Sequence, residues 1–290
     1  MKDKEIIVDK KYIPLDKYWI IRMGFLDIVN RKEKDIIKII GRERRKKLGG
    51  DVSALLNVAK NWSSKKEIKV GESGTLFRYL QFAIWKLGLD KKLIKSGTLS
   101  KREIYDDRRI INWSLTDLLK LDKGTSQWAS AAVLLGNEEK LKNTPYFLRM
   151  SYEAAKHWRE RRAKGLVYDI KYDQILLRQA QTFLGVLNKK ETNFTATNPD
   201  DYCFARAFGF ITKKEGKEKF PAIQGHESNR LDEMEKCLKQ LNDGKIVETD
   251  DHRVVQAIAM LARVKNKKVK FSNKECVNKS WPQFWDFLSD

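Results

Sequence analysis

Apolar residues recur at helical spacing over residues 51–59, 74–85, 125–135, 145–158, 199–211, 229–241 and 251–262, and each stretch is expected to form a helix with one or more buried faces. Asp51 stands where the first of them would be capped, and Asp251 where the last would be, since a carboxylate there accepts from the free N–H groups of the first turn. Between the helical stretches lie short segments rich in Ile and Val that read as strands, with glycines at the joints rather than in one linker. Alternation of this kind predicts an α/β or α+β fold. Several of the predicted helices start with Gly, Thr, Ser or Asp directly after a strand-like segment. Their first-turn N–H groups would favour a bound phosphate or carboxylate.

Length and charge sharpen this picture. At 290 residues, 41% of them hydrophobic, the chain is long enough for two cores, because single cores usually divide beyond roughly 250 residues. The apolar runs at 129–135 and 254–262 are far shorter than the about 20 residues that span a bilayer, so no membrane partner is expected. The start, Met1-Lys2-Asp3-Lys4-Glu5 followed by a short Ile-Ile-Val strand, does not read as a secretory leader, and a cytoplasmic location is expected. Cys203, Cys237 and Cys276 are odd in number and far apart, and His157, His226 and His252 form no local ligand pattern. Reduced thiols and no metal are expected. Against 39 acidic residues stand 59 Lys and Arg, a formal net charge of +20. The partner should therefore be anionic: nucleic acid, an acidic surface, or small phosphorylated and carboxylated substrates. A single basic run such as 42–47 reads equally well as a solvated face.

Particular residues narrow the choice. In order along the chain stand Gly225-His226-Glu227-Ser228-Asn229-Arg230 before one helix, Asp250-Asp251-His252-Arg253 before another, and then Cys276-Val277-Asn278-Lys279-Ser280-Trp281-Pro282-Gln283-Phe284-Trp285. Taken alone, each has a plain structural reading: Asp251 as a cap, Glu227 as complement to a helix dipole, Trp281, Phe284 and Trp285 as core aromatics behind Lys279. Taken in order, they resemble the C-terminal lobe of the 5-enolpyruvylshikimate-3-phosphate synthase family of enolpyruvyl transferases. That lobe carries Lys-Glu-Thr-Asp-Arg, then Asp-His-Arg, then Cys-x-x-Lys-(Ser/Thr)-(Phe/Trp)-Pro. Upstream, the segment from Ile13 to Arg22 is similar to the family's Pro-Gly-x-Lys-Ser-x-x-x-Arg, with Lys17 and Arg22 in place. Gly71-Glu72-Ser73-Gly74-Thr75-Leu76-Phe77-Arg78 resembles its Gly-Asn-x-Gly-Thr-x-x-Arg loop, and Lys101-Arg102-Glu103 its Lys-Arg-Pro. Gly124-Thr125-Ser126-Gln127-Trp128 resembles Ser-Ser-Gln-Phe, and Asn143-Thr144-Pro145-Tyr146 resembles Ser-x-Pro-Tyr.

The resemblance implies a two-lobed inside-out α/β barrel of repeated βαβαββ units with the C-terminal lobe reduced. Residues 16–190 would form the N-terminal lobe, and residues 1–15 plus 191–290 the shortened C-terminal one. It implies transfer of the enolpyruvyl group of phosphoenolpyruvate to a hydroxyl of 3-phosphoshikimate or a related anion, in the cleft between lobes, by a monomer that uses no cofactor. Lys17, Gly74, Arg102, Arg230, Arg253 and Lys279 would bind phosphoenolpyruvate. Arg22, Thr125, Ser126, Gln127 and Asn143 would hold the acceptor, and Lys17, Glu227 and Asp200 would exchange protons. Asp200 lies in Asn198-Pro199-Asp200-Asp201, which aligns either with the family's catalytic Pro-Asp or with the same turn of a neighbouring unit. Tyr18, Glu72, Glu103 and His226 replace the family's Ser, Asn, Pro and Lys, which alters the acceptor half most. Two further readings stand beside catalysis: a degenerate homologue that binds phosphorylated metabolites or a protein partner, and, third, a basic nucleic-acid-binding protein on the same fold. Nucleic acid is not the expected partner, because the sequence carries no recognisable nucleic-acid motif.

Overall fold

The computed structural model of the chain describes residues 7–43, 47–121, 125–223 and 229–290. Two compact units divide it, one formed by Leu15–Lys171 and the other by Met1–Pro14 with Tyr172–Asp290.

In the unit Leu15–Lys171 the helices are α1 (Lys17–Val29), α2 (Glu33–Arg42), α3 (Gly50–Asn61), α4 (Gly74–Leu87), α5 (Leu115–Leu121), α6 (Gln127–Leu134) and α7 (Tyr146–Ala163). Its strands β1 (Glu67–Lys69) and β2 (Lys92–Ile94) pair in parallel, with Ile68 opposite Leu93. Every residue of α1 from Trp19 to Ile28 is buried, and α2, α3, α4 and α7 all pack on it. A helix apolar on all sides is one that other helices surround. Asp16 caps α1 by accepting from the N–H groups of Tyr18 and Trp19 at 2.9 and 3.0 Å. Asp51, expected as a cap, instead sits in the first turn of α3, which starts after Gly49; its carboxylate lies 3.6 Å from the Lys17 ammonium.

The other unit holds α8 (Gln174–Leu187), α9 (Tyr202–Ala207), α10 (Lys213–Lys219), α11 (Arg230–Asn242), α12 (His252–Val264) and α13 (Phe284–Ser289). Here α12 is the central helix: His252 through Ala262 are all buried, and α8, α9, α11 and α13 pack against it. Each of Val254, Val255, Ile258 and Leu261 takes its side chain out of water there, worth about 1.5–3 kcal/mol apiece. Asp251 is the cap, as its position in the sequence indicates, accepting from the Arg253 N–H at 2.9 Å.

The expected inside-out barrel of βαβαββ units is not the fold. The chain is mostly helical, and its described residues contain only β1 and β2 as strands. The strand-like segments are too short and too heavily interrupted by Lys to build sheets. In β1 only Ile68 is buried, between exposed Glu67 and Lys69. Likewise Ile246-Val247-Glu248 and Val269-Lys270-Phe271 meet in a single bridge, Val247 to Phe271. One inward side chain per segment cannot cover a core face, whereas the long apolar stretches of α1 and α12 bury whole helices.

Close packing between elements makes one testable demand. A Cβ on Gly216 of α10 would come within 2.2 Å of the Tyr202 ring, and that ring is itself fully buried. Gly216→Ala, which in an exposed helix would stabilise by about 1 kcal/mol, is expected here to destabilise by about 1–3 kcal/mol through overpacking. Urea unfolding checks the sign.

Candidate functional site

The motif residues fall into two sets, one in each unit. In the unit that contains α12, two helix starts and a short turn bring four charged groups together. Asp200 sits in the turn Pro199–Asp201, fixed by its N–H donating to the Asn198 side chain at 3.0 Å. Its carboxylate accepts from Arg230 at 3.2 Å and from Arg253 at 2.6 Å, one oxygen to each. Arg230 opens α11 and its Nε donates to Asp251 at 2.8 Å. Asp251 in turn caps α12 next to Arg253. The result is a ring of two arginines and two carboxylates, closed by the Arg253 backbone N–H on Asp251, in which Arg230 keeps the most exposure, 13% of its side chain. A ring of this kind fixes each fork in place, which suits arginines meant to grip a carboxylate or phosphate in two-point fashion.

Lys279 is half-buried at the end of a short 3-10 helix, Lys274–Lys279. Its neighbour Ser280 accepts at 3.2 Å from Gln256, and Gln256 in turn lies 3.5 Å from Arg253. The aromatics that follow do what core residues do: Trp281 and Phe284 are fully buried, and Trp281 donates to the Tyr12 carbonyl at 2.6 Å. Burial pushes the Cys276 thiol up to about 12 and raises the Cys203 thiol as well. Neither offers a thiolate nucleophile near neutral pH. Glu227 and His226 lie outside the described residues.

In the unit Leu15–Lys171 the Gly-Thr segment starts α4, with Ser73 as its N-cap and Gly74 as first residue. Two guanidiniums close on Gly74: a Cβ there would stand 3.1 Å from Arg78 and 3.4 Å from Arg102. Arg78 also donates to the Gln127 side chain at 2.7 Å, which ties the start of α4 to the start of α6. Arg102 donates to Thr98 at 3.1 Å, and Thr98 donates to Glu72 at 2.9 Å. The carboxylate that replaces the loop asparagine is thus bonded to a neighbouring turn. Ser126, buried, precedes α6 in a left-handed conformation, with φ of 58°. Arg78 is thus a further cation beside Gly74, and its sequence signal is an arginine one turn after the glycine.

Other members of the expected set lie in the same unit. Arg22 is buried, and its three nitrogens donate to Ser151, the Tyr18 carbonyl and the Phe147 carbonyl at 2.8, 2.9 and 2.7 Å. Those bonds fasten α1 to α7. Lys17 pairs with Asp51 and lies 4.9 Å over the Tyr18 ring. Thr125 is half-buried before α6, and Asn143 is exposed in the turn before α7.

Comparison with known proteins adds family evidence to one part of the chain. The sequence model of EPSP synthase (3-phosphoshikimate 1-carboxyvinyltransferase) matches residues 223–288. A segment of 40 residues, 14% of the chain, is 40% identical to the pentafunctional AROM polypeptide of Pneumocystis carinii and spans 2% of that polypeptide's length. No solved structure matches the chain. Among the described residues, no helix is long and apolar enough to cross a membrane. Arg230, Arg253 and Lys279 fall inside the segment that matches the family, while Asp200 and every residue quoted from the other unit fall outside it. Over residues 223–288, then, the chain is similar to EPSP synthase.

Proposed function

We propose that the protein is an enolpyruvyl transferase that uses phosphoenolpyruvate and a hydroxylated anionic acceptor of the 3-phosphoshikimate type. The observation that carries this reading is the ring of Asp200, Arg230, Asp251 and Arg253, because both of its arginines lie inside the family-matched segment at helix starts. The reaction adds the acceptor oxygen, which gives up its proton, to C2 of phosphoenolpyruvate as C3 takes a proton; the tetrahedral intermediate then loses phosphate from C2 and a proton from C3 to leave the enol ether. It needs fixed cations for a carboxylate and a phosphate, and acid and base groups at the reacting carbons. Arg230, Arg253, Lys279 and Arg102, with the Gly74 backbone, are the phosphoenolpyruvate-binding groups in this reading. Lys17, Asp200 and Glu227 are the proton-exchanging groups in this reading, with Thr125, Ser126, Gln127, Asn143 and Arg22 on the acceptor.

A second reading, a homologue that binds phosphorylated metabolites without turning them over, is favoured by a specific feature: Asp200 and Asp251 already neutralise both arginines of the ring. Phosphate release from phosphoenolpyruvate, measured with and without 3-phosphoshikimate, separates the two. Acceptor-dependent release is expected, falling about 100-fold or more in Lys279→Ala and in Arg102→Ala, as loss of one fixed charge in a dry site does. Calorimetric binding of phosphoenolpyruvate with no release would establish the second reading, and no binding at all would overturn both.

A further inference from the structure

The unit that contains α12 has a concave site at the opposite end of that helix from Arg253. Ala259, Ala262 and Arg263 line it, and the ten residues from Arg253 to Arg263 put it roughly 15 Å along the helix axis from the charged ring. Its volume is about 550 Å³, within the range of roughly 300–1,000 Å³ typical of small-molecule sites.

Two kinds of group line the rest of it. The floor is apolar and aromatic: Phe271 and Trp285 stand 5.9 Å apart at 54°, with Leu288 beside them. Trp285 is held in place by its indole N–H, which donates to the Lys274 carbonyl at 3.1 Å. The rim carries Arg263, Lys267, Lys270 and Lys274, all exposed, and no Asp or Glu lines the pocket. Arg263 and Lys267 flank the C-terminus of α12, where cations complement the helix dipole. Lys270 and Lys274 have no such role, since they come from the segment that follows. Four cations around a half-buried indole, without one counter-charge in the lining, make a concave surface with apolar depth and a strongly positive mouth.

We propose that this pocket binds a small organic anion with a flat apolar body, of the aryl phosphate or aryl carboxylate class. The ring lies against Phe271, Trp285 and Leu288, and the anionic group meets Lys270 and Lys274 at the mouth. The apolar and aromatic residues beside the cations favour a small molecule with an apolar body over a polyanion, which would need a continuous basic track. The site is independent of the reaction proposed above, because none of its lining residues belongs to the phosphoenolpyruvate or acceptor sets.

Calorimetry on the full chain tests it with four probes: phenyl phosphate, inorganic phosphate, benzyl alcohol and a short thymidine oligonucleotide. Phenyl phosphate is expected to bind saturably, one per chain, at least about tenfold more tightly than inorganic phosphate or benzyl alcohol, a difference of about 1.4 kcal/mol. The double charge reversal Lys270→Glu/Lys274→Glu, confined to exposed side chains, is expected to weaken it by tenfold or more while the thermal unfolding midpoint stays that of the parent. Leu288→Ala is the second variant and is expected to weaken phenyl phosphate but not inorganic phosphate. Absence of saturable phenyl phosphate binding overturns the proposal, and so does binding that the charge reversal leaves unchanged, which would put the probe elsewhere. Equal affinity for inorganic phosphate, or tighter binding of the oligonucleotide through the same lysines, overturns it as well.

Discussion

Arg253→Ala is expected to lower the unfolding free energy by about 3–5 kcal/mol, the usual cost of removing one partner from a buried ion pair. Arg253 is 1% exposed in its side chain and bonded to Asp200 at 2.6 Å; Asp200 is 9% exposed. Without the guanidinium, the carboxylate keeps Arg230 at 3.2 Å but loses its shorter and more deeply buried partner. The loss is one of pairing rather than packing, so a double-mutant cycle distinguishes the causes. Asp200→Ala alone should also destabilise, because it leaves two guanidiniums facing each other. Arg253→Ala/Asp200→Ala together should cost less than the two single changes added, with a coupling of about 0.5–3 kcal/mol. Strict additivity in urea titrations would show that Arg253 acts by filling space. The same variant bears on function: if Arg253 is a phosphoenolpyruvate ligand, Asp200→Asn, which preserves shape and most hydrogen bonding, should keep ligand binding while Arg253→Ala loses it.

What the sequence makes legible follows from which forces are local. Helix starts are local: a carboxylate followed by an apolar stretch caps itself, and so Asp251 and α12, or the glycine at the head of α4, can be read directly. The arginines of the ring are legible for the same reason, since each is tied to a helix start whose position is locally fixed. Sheet formation is not local. Whether Ile246-Val247-Glu248 becomes a strand depends on a partner that continues to pair, and Val269-Lys270-Phe271 supplies only one bridge. The family resemblance led the fold expectation toward a barrel, while the burial of α1 and α12 on every side shows cores made of helices. Arg78 is harder to read from sequence, because its partners, Gly74 and Gln127, come together only when α4 packs on α6. Arg22 is legible as a motif position, but its bonds to Ser151 and to the Phe147 carbonyl arise only once α1 packs on α7.

The same non-local logic makes Asp27 the most consequential residue outside the candidate site, and Asp27→Ala is expected to cost about 3–5 kcal/mol. Asp27 lies on α1 with no exposure at all. Its carboxylate accepts from the Trp158 indole at 2.9 Å, the Arg162 guanidinium at 2.7 Å and the Tyr168 hydroxyl at 2.7 Å. Arg162 also reaches Asp35 on α2 at 2.7 Å, so one guanidinium links three helices. Alanine would leave three donors facing a gap, each losing an acceptor at about 1–3 kcal/mol, with Arg162 partly compensated by Asp35. Burial holds the Asp27 carboxyl above its ordinary value, with the three donors opposing that shift. The sign of the pH dependence follows. As pH rises past the ordinary carboxylate value, about 3.9, the unfolded chain ionises first and the native state still holds its proton. Stability contributed by this group is therefore full below that value and declines until pH passes the folded value. The difference in unfolding free energy between the parent and Asp27→Asn isolates this titration, because every other carboxylate is shared. That difference should fall as pH is raised above about 4 and then level off. If it rises over the same interval, the three donors outweigh desolvation, and Asp27 is held as a net stabilised anion instead.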